Sequence, residues 1–154
     1  MSNESDDVLA SRHATPKQSP GFLLWCVSTS WRSSIEKTLR SFSLTHPQFV
    51  VLASIGWASK AGGSVTQIQL SRATGLDPNT MSQVIKGLET RELVIRTRSK
   101  DGRAKDVALT EPGLRLVQKA LPTVEEADAK FFNLTPQNLE QLLLLLHELS
   151  CQGS

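Results

Sequence analysis

A chain of 154 residues, 39% hydrophobic and 21% charged, has the length of one domain and enough apolar material for a core, which excludes a wholly disordered polymer. Its two cysteines, Cys26 and Cys151, lie far apart with no CxxC pair and no metal-like histidine spacing, which argues against a disulfide framework or a zinc site and suits a reducing cytoplasm. The net charge of +2 hides an asymmetry: residues 60–105 hold nine Lys/Arg against four Asp/Glu, and residues 106–154 hold three against seven, so the basic middle suits a polyanion.

The first stretch, 1–19, is acidic, polar and without apolar period, and reads as a flexible tail. It lacks the basic and apolar regions of a signal peptide. The most apolar run, 139–149, falls well short of the ~20 residues a membrane span needs. The expectation is a cytoplasmic protein with no membrane partner.

From 21 to 42 the pattern is helical, with Leu24, Trp31, Ile35, Leu39 and Phe42 on one stripe and Phe22, Leu23 and Val27 widening the face to be buried. Cys26, between Trp25 and Val27, is expected to be buried and inert. Thr45 caps a second helix with Pro47 in its first turn, and the AGG at 61–63 ends it. Ser64-Val65 is room only for an edge strand. A short helix follows from Thr66 to Ala73, closed by Gly75. Asp77 and Pro78 then open a longer helix to about Arg91, with Met81, Val84, Ile85 and Leu88 inward. Two helices joined by a tight glycine turn, about 66–91, form a helix-turn-helix whose second helix fits a major groove.

Leu93-Val94-Ile95 and Val107-Ala108-Leu109 are short strands around SKDGRAKD, where Asp-Gly supplies the turn. A hairpin there, about 93–109, makes a wing. Thr110 caps a long helix interrupted by Pro122, and Thr135-Pro136 starts a last one. The last helix carries Leu139, Leu142, Leu143, Leu145, Leu146 and Leu149 around more than half its circumference. Such a surface calls for a second subunit, with the first helix joining in. The fold class is therefore mainly α with a small β-hairpin wing: a winged helix-turn-helix over 20–150, with dimerisation helices at about 21–42 and 111–150.

Three segments in order resemble the multiple-antibiotic-resistance regulator (MarR) family of winged-helix transcription factors. They are LTHPQFVVL at 44–52, LSRATGLDPNTMSQVIKGLETRELVIR at 70–96 and DGRAKDVALTEPG at 101–113. The resemblance implies a homodimer on palindromic double-stranded DNA, commonly a repressor released by a small molecule or an oxidant.

In the second helix of the motif, Asn79, Thr80, Ser82, Gln83 and Lys86 are the candidate DNA contacts. Amides read adenine edges with ~1–3 kcal/mol of discrimination per good pair. In the wing, Arg103 is expected to enter a minor groove, and Arg98, Lys100 and Lys105 to hold phosphates. The family pattern gives Asp101 the task of orienting the wing. Thr66 and Gln67 are lesser phosphate candidates with helix capping as the competing use. Because family ligands lodge between the dimerisation helices and the DNA-binding lobe, the resemblance points to Trp25, Trp31, Arg32, His46, Phe49 and Trp57 as a candidate effector pocket. No cofactor and no metal is expected.

The residues also weigh against other classes. No GxSxG, GxxxxGK[ST] or GxGxxG occurs, so no enzyme is expected. A cysteine-based redox sensor would need Cys26 elsewhere in its helix and tyrosines beside it, and the chain has no tyrosine. A winged-helix dimer that binds proteins or ligands but not DNA is the other alternative, and it leaves the basic middle without a use.

Overall fold

Helix starts follow the capping residues. Ser19, Thr45, Thr66, Thr110 and Thr135 each accept a backbone N–H three residues on with a hydroxyl oxygen, and the Asp77 carboxylate accepts two, from Asn79 and Thr80. The computed structural model describes residues 9–98, 102 and 105–152. It comprises α1 (Pro20–Leu39), α2 (His46–Lys60), β1 (Val65–Thr66), α3 (Gln67–Thr74), α4 (Pro78–Thr90), β2 (Val94–Arg98), β3 (Lys105–Leu109), α5 (Glu111–Phe131) and α6 (Pro136–Gln152). This is the mainly α winged helix-turn-helix that the sequence led us to expect.

The strands form one antiparallel sheet in the order β1-β3-β2, with Val65 opposite Val107 and Val94 opposite Leu109. Both wing strands extend further towards the turn than their apolar residues indicate, adding 96–98 and 105–106, and β1 begins one residue later than expected. The first helix ends at Leu39, and Arg40–Phe42 tighten into a 3-10 turn before the left-handed Ser43. Another 3-10 turn, Pro16–Gln18, precedes α1 and abuts it.

The core gathers Ile35 and Leu39 of α1, Val51, Leu52 and Ile55 of α2, Leu70 of α3, Met81, Ile85 and Leu88 of α4, and Val94 and Val107 of the sheet. Val117, Ala120 and Val124 of α5 close it on the remaining side. No polar side chain is buried among the described residues. The helix-turn-helix is therefore held by apolar packing from three sides, which fixes the outward direction of the remaining faces of α4.

One expectation of burial fails: Cys26 is exposed. Phe22, Leu23 and Val27 of α1, on the face expected to meet a second subunit, are exposed in the single chain. Among the described residues of α6 none is buried, and Leu143, Leu144 and Leu149 are each about 60% exposed (60%, 65% and 58%).

Candidate nucleic-acid interface

With Met81, Ile85 and Leu88 packed inward, α4 turns Asn79, Ser82, Gln83 and Lys86 outward, all exposed. Spacings of three and four put them on one stripe roughly 10 Å long by helical rise. Two amides, a hydroxyl and an ammonium on one face can donate to phosphates and base edges. Thr80 lies apart from them. It is half-buried, and its hydroxyl donates to the Asp77 carboxylate, whose pKa is lowered first by this bond and then by the backbone donors. Its proton is thus committed to the cap, so Thr80 sets the start of the recognition helix more directly than it offers a donor. Thr66 is similarly engaged. Its hydroxyl accepts from Gln69 N–H while its own N–H donates to Gln69 Oε1, a capping box that starts α3.

The wing presents its charge by register. Val94, the first residue of β2, is buried, and Arg96 and Arg98 share its face by the alternation of a strand; Arg96 Nε lies 3.5 Å from Glu89 Oε2 of α4. Arg98 stands directly opposite Lys105. Like charges opposed across a ladder repel, a destabilising arrangement that an intervening anion relieves. Gly102 adopts φ 70 in the hairpin, the left-handed geometry its Asp-Gly sequence favours. Lys100, Asp101 and Arg103 lie outside the described residues.

Two positioning contacts did not show themselves in the sequence. Arg91, just after α4, donates from Nη1 to the carbonyl of Ser43 at 2.7 Å, tying the recognition helix to the α1–α2 turn. The Arg96–Glu89 pair ties the wing to the same helix. Counting by twos from Val94 finds Arg96 on the α4 side. Nothing local in the sequence reports the Arg91 contact, since its acceptor lies 48 residues away.

In the single chain the six candidates for an effector pocket fall at several places. Trp31 and His46 pack edge to face at 5.1 Å, and Trp31 Nε1 donates to Asp128 at 2.7 Å, joining α1, α2 and α5. Arg32 is exposed beside them, and with burial it lowers the His46 pKa while Glu36 and Asp128 oppose. Phe49 belongs to the core. Trp25 lines an open groove with Cys26, Lys37 and Phe131, and Trp57 lines a different cleft between α2 and α5. Among the described residues no cluster of His, Cys, Asp or Glu could hold a metal ion, and no helix is long and apolar enough to cross a membrane.

A supporting helix, an outward polar recognition helix and a basic hairpin beside it define a winged helix-turn-helix DNA-binding protein. Residues 44–105 match the MarR family. The chain is 38% identical over 123 residues to the uncharacterized HTH-type transcriptional regulator YdcH of Bacillus subtilis (strain 168), covering 79% of this chain and 84% of that one. It also resembles CouR from Rhodococcus jostii RHA1 bound to p-coumaroyl-CoA, with a TM-score of 0.79 and 28% identity over 89% of this chain and 95% of that one. The S. aureus MepR–DNA complex shares the fold at 21% identity, with a TM-score of 0.77 over 87% and 98% of the two chains. The protein belongs to the MarR family and is a transcriptional regulator, not an enzyme.

Proposed function

We propose that the chain acts as a homodimeric repressor that holds a palindromic operator and releases it when a small molecule binds. The observation that carries the DNA half of this reading is the outward stripe Asn79, Ser82, Gln83 and Lys86 on a helix whose opposite face is core. Amides on that stripe supply base readout, and Arg98 and Lys105 supply phosphate contacts in the flanking groove. Lys100 and Arg103 extend the same cationic hairpin in sequence.

Dimerisation is supported by the apolar, unpartnered faces of α1 and α6. Ligand control is supported by the likeness to CouR, which was solved with p-coumaroyl-CoA bound. The cytoplasmic assignment follows from the proposed role, since an operator is met where the chromosome is.

Fluorescence anisotropy with labelled duplexes over a salt series tests this reading. Operator DNA recovered from genomic fragments should bind more tightly than random duplex. Both affinities should fall as salt rises, because phosphate contacts release counterions. A protein that binds neither duplex at low salt is not this regulator.

A further inference from the structure

Among the described residues two non-glycine positions hold a left-handed backbone, Ser43 (φ 52) and Glu92 (φ 55). A side chain disfavours that region, so such positions persist only where surrounding contacts impose them. One side chain links the two places. Arg91 donates from Nη1 to the Ser43 carbonyl at 2.7 Å, and the adjoining Glu92 carbonyl accepts from the Thr110 hydroxyl at 2.6 Å.

Both ends of the Arg91 bond are anchored. Ser43 N–H donates to the Arg40 carbonyl at 3.0 Å and Leu44 N–H to the Leu39 carbonyl at 3.2 Å, so the turn carries on from α1 without a loose joint. Arg91 is the residue that closes α4, and Leu93 N–H returns to the Leu88 carbonyl at 3.0 Å. Leu44 and Leu93, just beyond the two ends, belong to the core. The bond itself is exposed, yet its flanks are already ordered by burial, so little further entropy opposes it.

The position of Arg91 gives it leverage. It lies at the end of α4 away from Asn79, roughly 18 Å off by helical rise. A tilt of about 5° at the Arg91 end moves Asn79 by roughly 1.5 Å, about three times the ~0.5 Å range of hydrogen-bond lengths. Thr110 and the Arg96–Glu89 pair refer α4 to the wing and α5. Among the described hydrogen bonds, that of Arg91 refers it to the α1 arm. We infer that Arg91 is a positioning residue for operator recognition: its bond to Ser43 sets the angle between the recognition helix and the dimerisation arm, and thereby the half-site spacing a dimer accepts. The inference rests on the dimeric operator reading above.

Anisotropy titrations of the full chain test it, on duplexes that carry the two operator half-sites at the native spacing or one and two base pairs closer or further apart. Wild type should prefer the native spacing. Arg91→Met keeps the apolar stem without a donor, and should lose about three- to ten-fold at the native spacing. Its affinities across the series should converge, while its salt slope stays that of wild type because no phosphate contact is removed. Arg91→Lys restores a donor and should recover the preference. Arg91→Gln, too short to reach the turn, repeats the measurement if Arg91→Met does not fold. The inference is overturned if the donorless variants keep the wild-type spacing profile, even with a lower urea midpoint, because the bond is then purely structural. A salt slope lowered by about one overturns it too, since Arg91 is then a phosphate contact. Either result leaves the operator reading standing, whereas a wild-type chain that binds no duplex removes both.

Discussion

Arg98 and Gln83 are expected to contact the same duplex by different chemistry, and their variants separate the two. Arg98 faces Lys105 across the ladder, where mutual repulsion favours an anion between them. Arg98→Ala should weaken random and operator duplexes by a similar factor and lower the slope of log affinity against log salt by about one. Gln83→Ala should leave random duplex nearly unchanged and cost about 1–3 kcal/mol on the operator alone. Anisotropy titrations at matched salt distinguish these outcomes, and equal losses on both duplexes for Gln83→Ala would remove it from base readout. His46 bears on stability instead. Burial first, and Arg32 second, lower its pKa from the ordinary 6.5, so just below that value the unfolded chain binds more protons than the folded one. Its contribution is therefore fully present above pH ~6.5 and declines as pH falls towards the lowered folded value. Urea midpoints taken between about pH 5 and pH 7 should drop on the acid side, and His46→Gln should flatten that part of the curve.

At the level of elements, the joint between wing and α5 is held by close backbone contacts. Thr110 N–H donates to the Leu93 carbonyl at 3.1 Å, its hydroxyl donates to the Glu92 carbonyl at 2.6 Å, and the same oxygen accepts from Gly113 N–H at 3.1 Å. A Cβ on Gly113 would lie 1.9 Å from the Leu93 carbonyl oxygen, so α5 can start here only because that position has no side chain. Gly113→Ala forces two backbones apart and should cost more than about 3 kcal/mol, read as a lower urea midpoint. Thr110→Val loses the cap and should cost about 1–2 kcal/mol. A near-neutral Gly113→Ala would mean that the joint opens freely, contrary to this packing. The residues that make such joints were unevenly legible in sequence. Thr45, Asp77-Pro78, Gly75 and Thr110 announced helix boundaries, because caps and left-handed ends are local chemistry. The wing strands ran longer than expected because RTR and KD carry no apolar alternation; their pairing is set by the ladder rather than by burial. α4 ends at a left-handed Glu92, φ 55, where no glycine marks the stop. The effector set was least legible. Trp31 is fixed by Asp128 at a separation of 97 residues, and Phe49 and Trp57 are on one helix yet reach the core and a surface cleft respectively.

For the whole molecule, the decisive quantity is apolar surface that the single chain leaves in water. Phe22, Leu23, Leu24, Trp25 and Val27 on α1 and Leu143, Leu144, Leu145, Leu146 and Leu149 on α6 are all exposed at 43% or more. Fully burying one such side chain is worth about 1.5–3 kcal/mol and each is already partly covered, so cover of both faces by a second copy is of the same order as the entropy of association or larger. Pairing these helices would also set two recognition helices on one duplex, about 34 Å apart for successive turns of the major groove. Leu143→Glu with Leu146→Glu places two charges on the face to be covered while leaving the core of α1 to α5 intact. The expected result is a folded monomer in sedimentation equilibrium, with an unchanged helix-turn-helix but operator affinity reduced towards that of a single half-site. Its binding curve should be insensitive to the spacing between half-sites, whereas the wild-type curve should depend on it. A wild-type chain that sediments as a monomer at micromolar concentration, or a double variant that keeps the wild-type spacing preference, would leave α6 without the partner proposed for it.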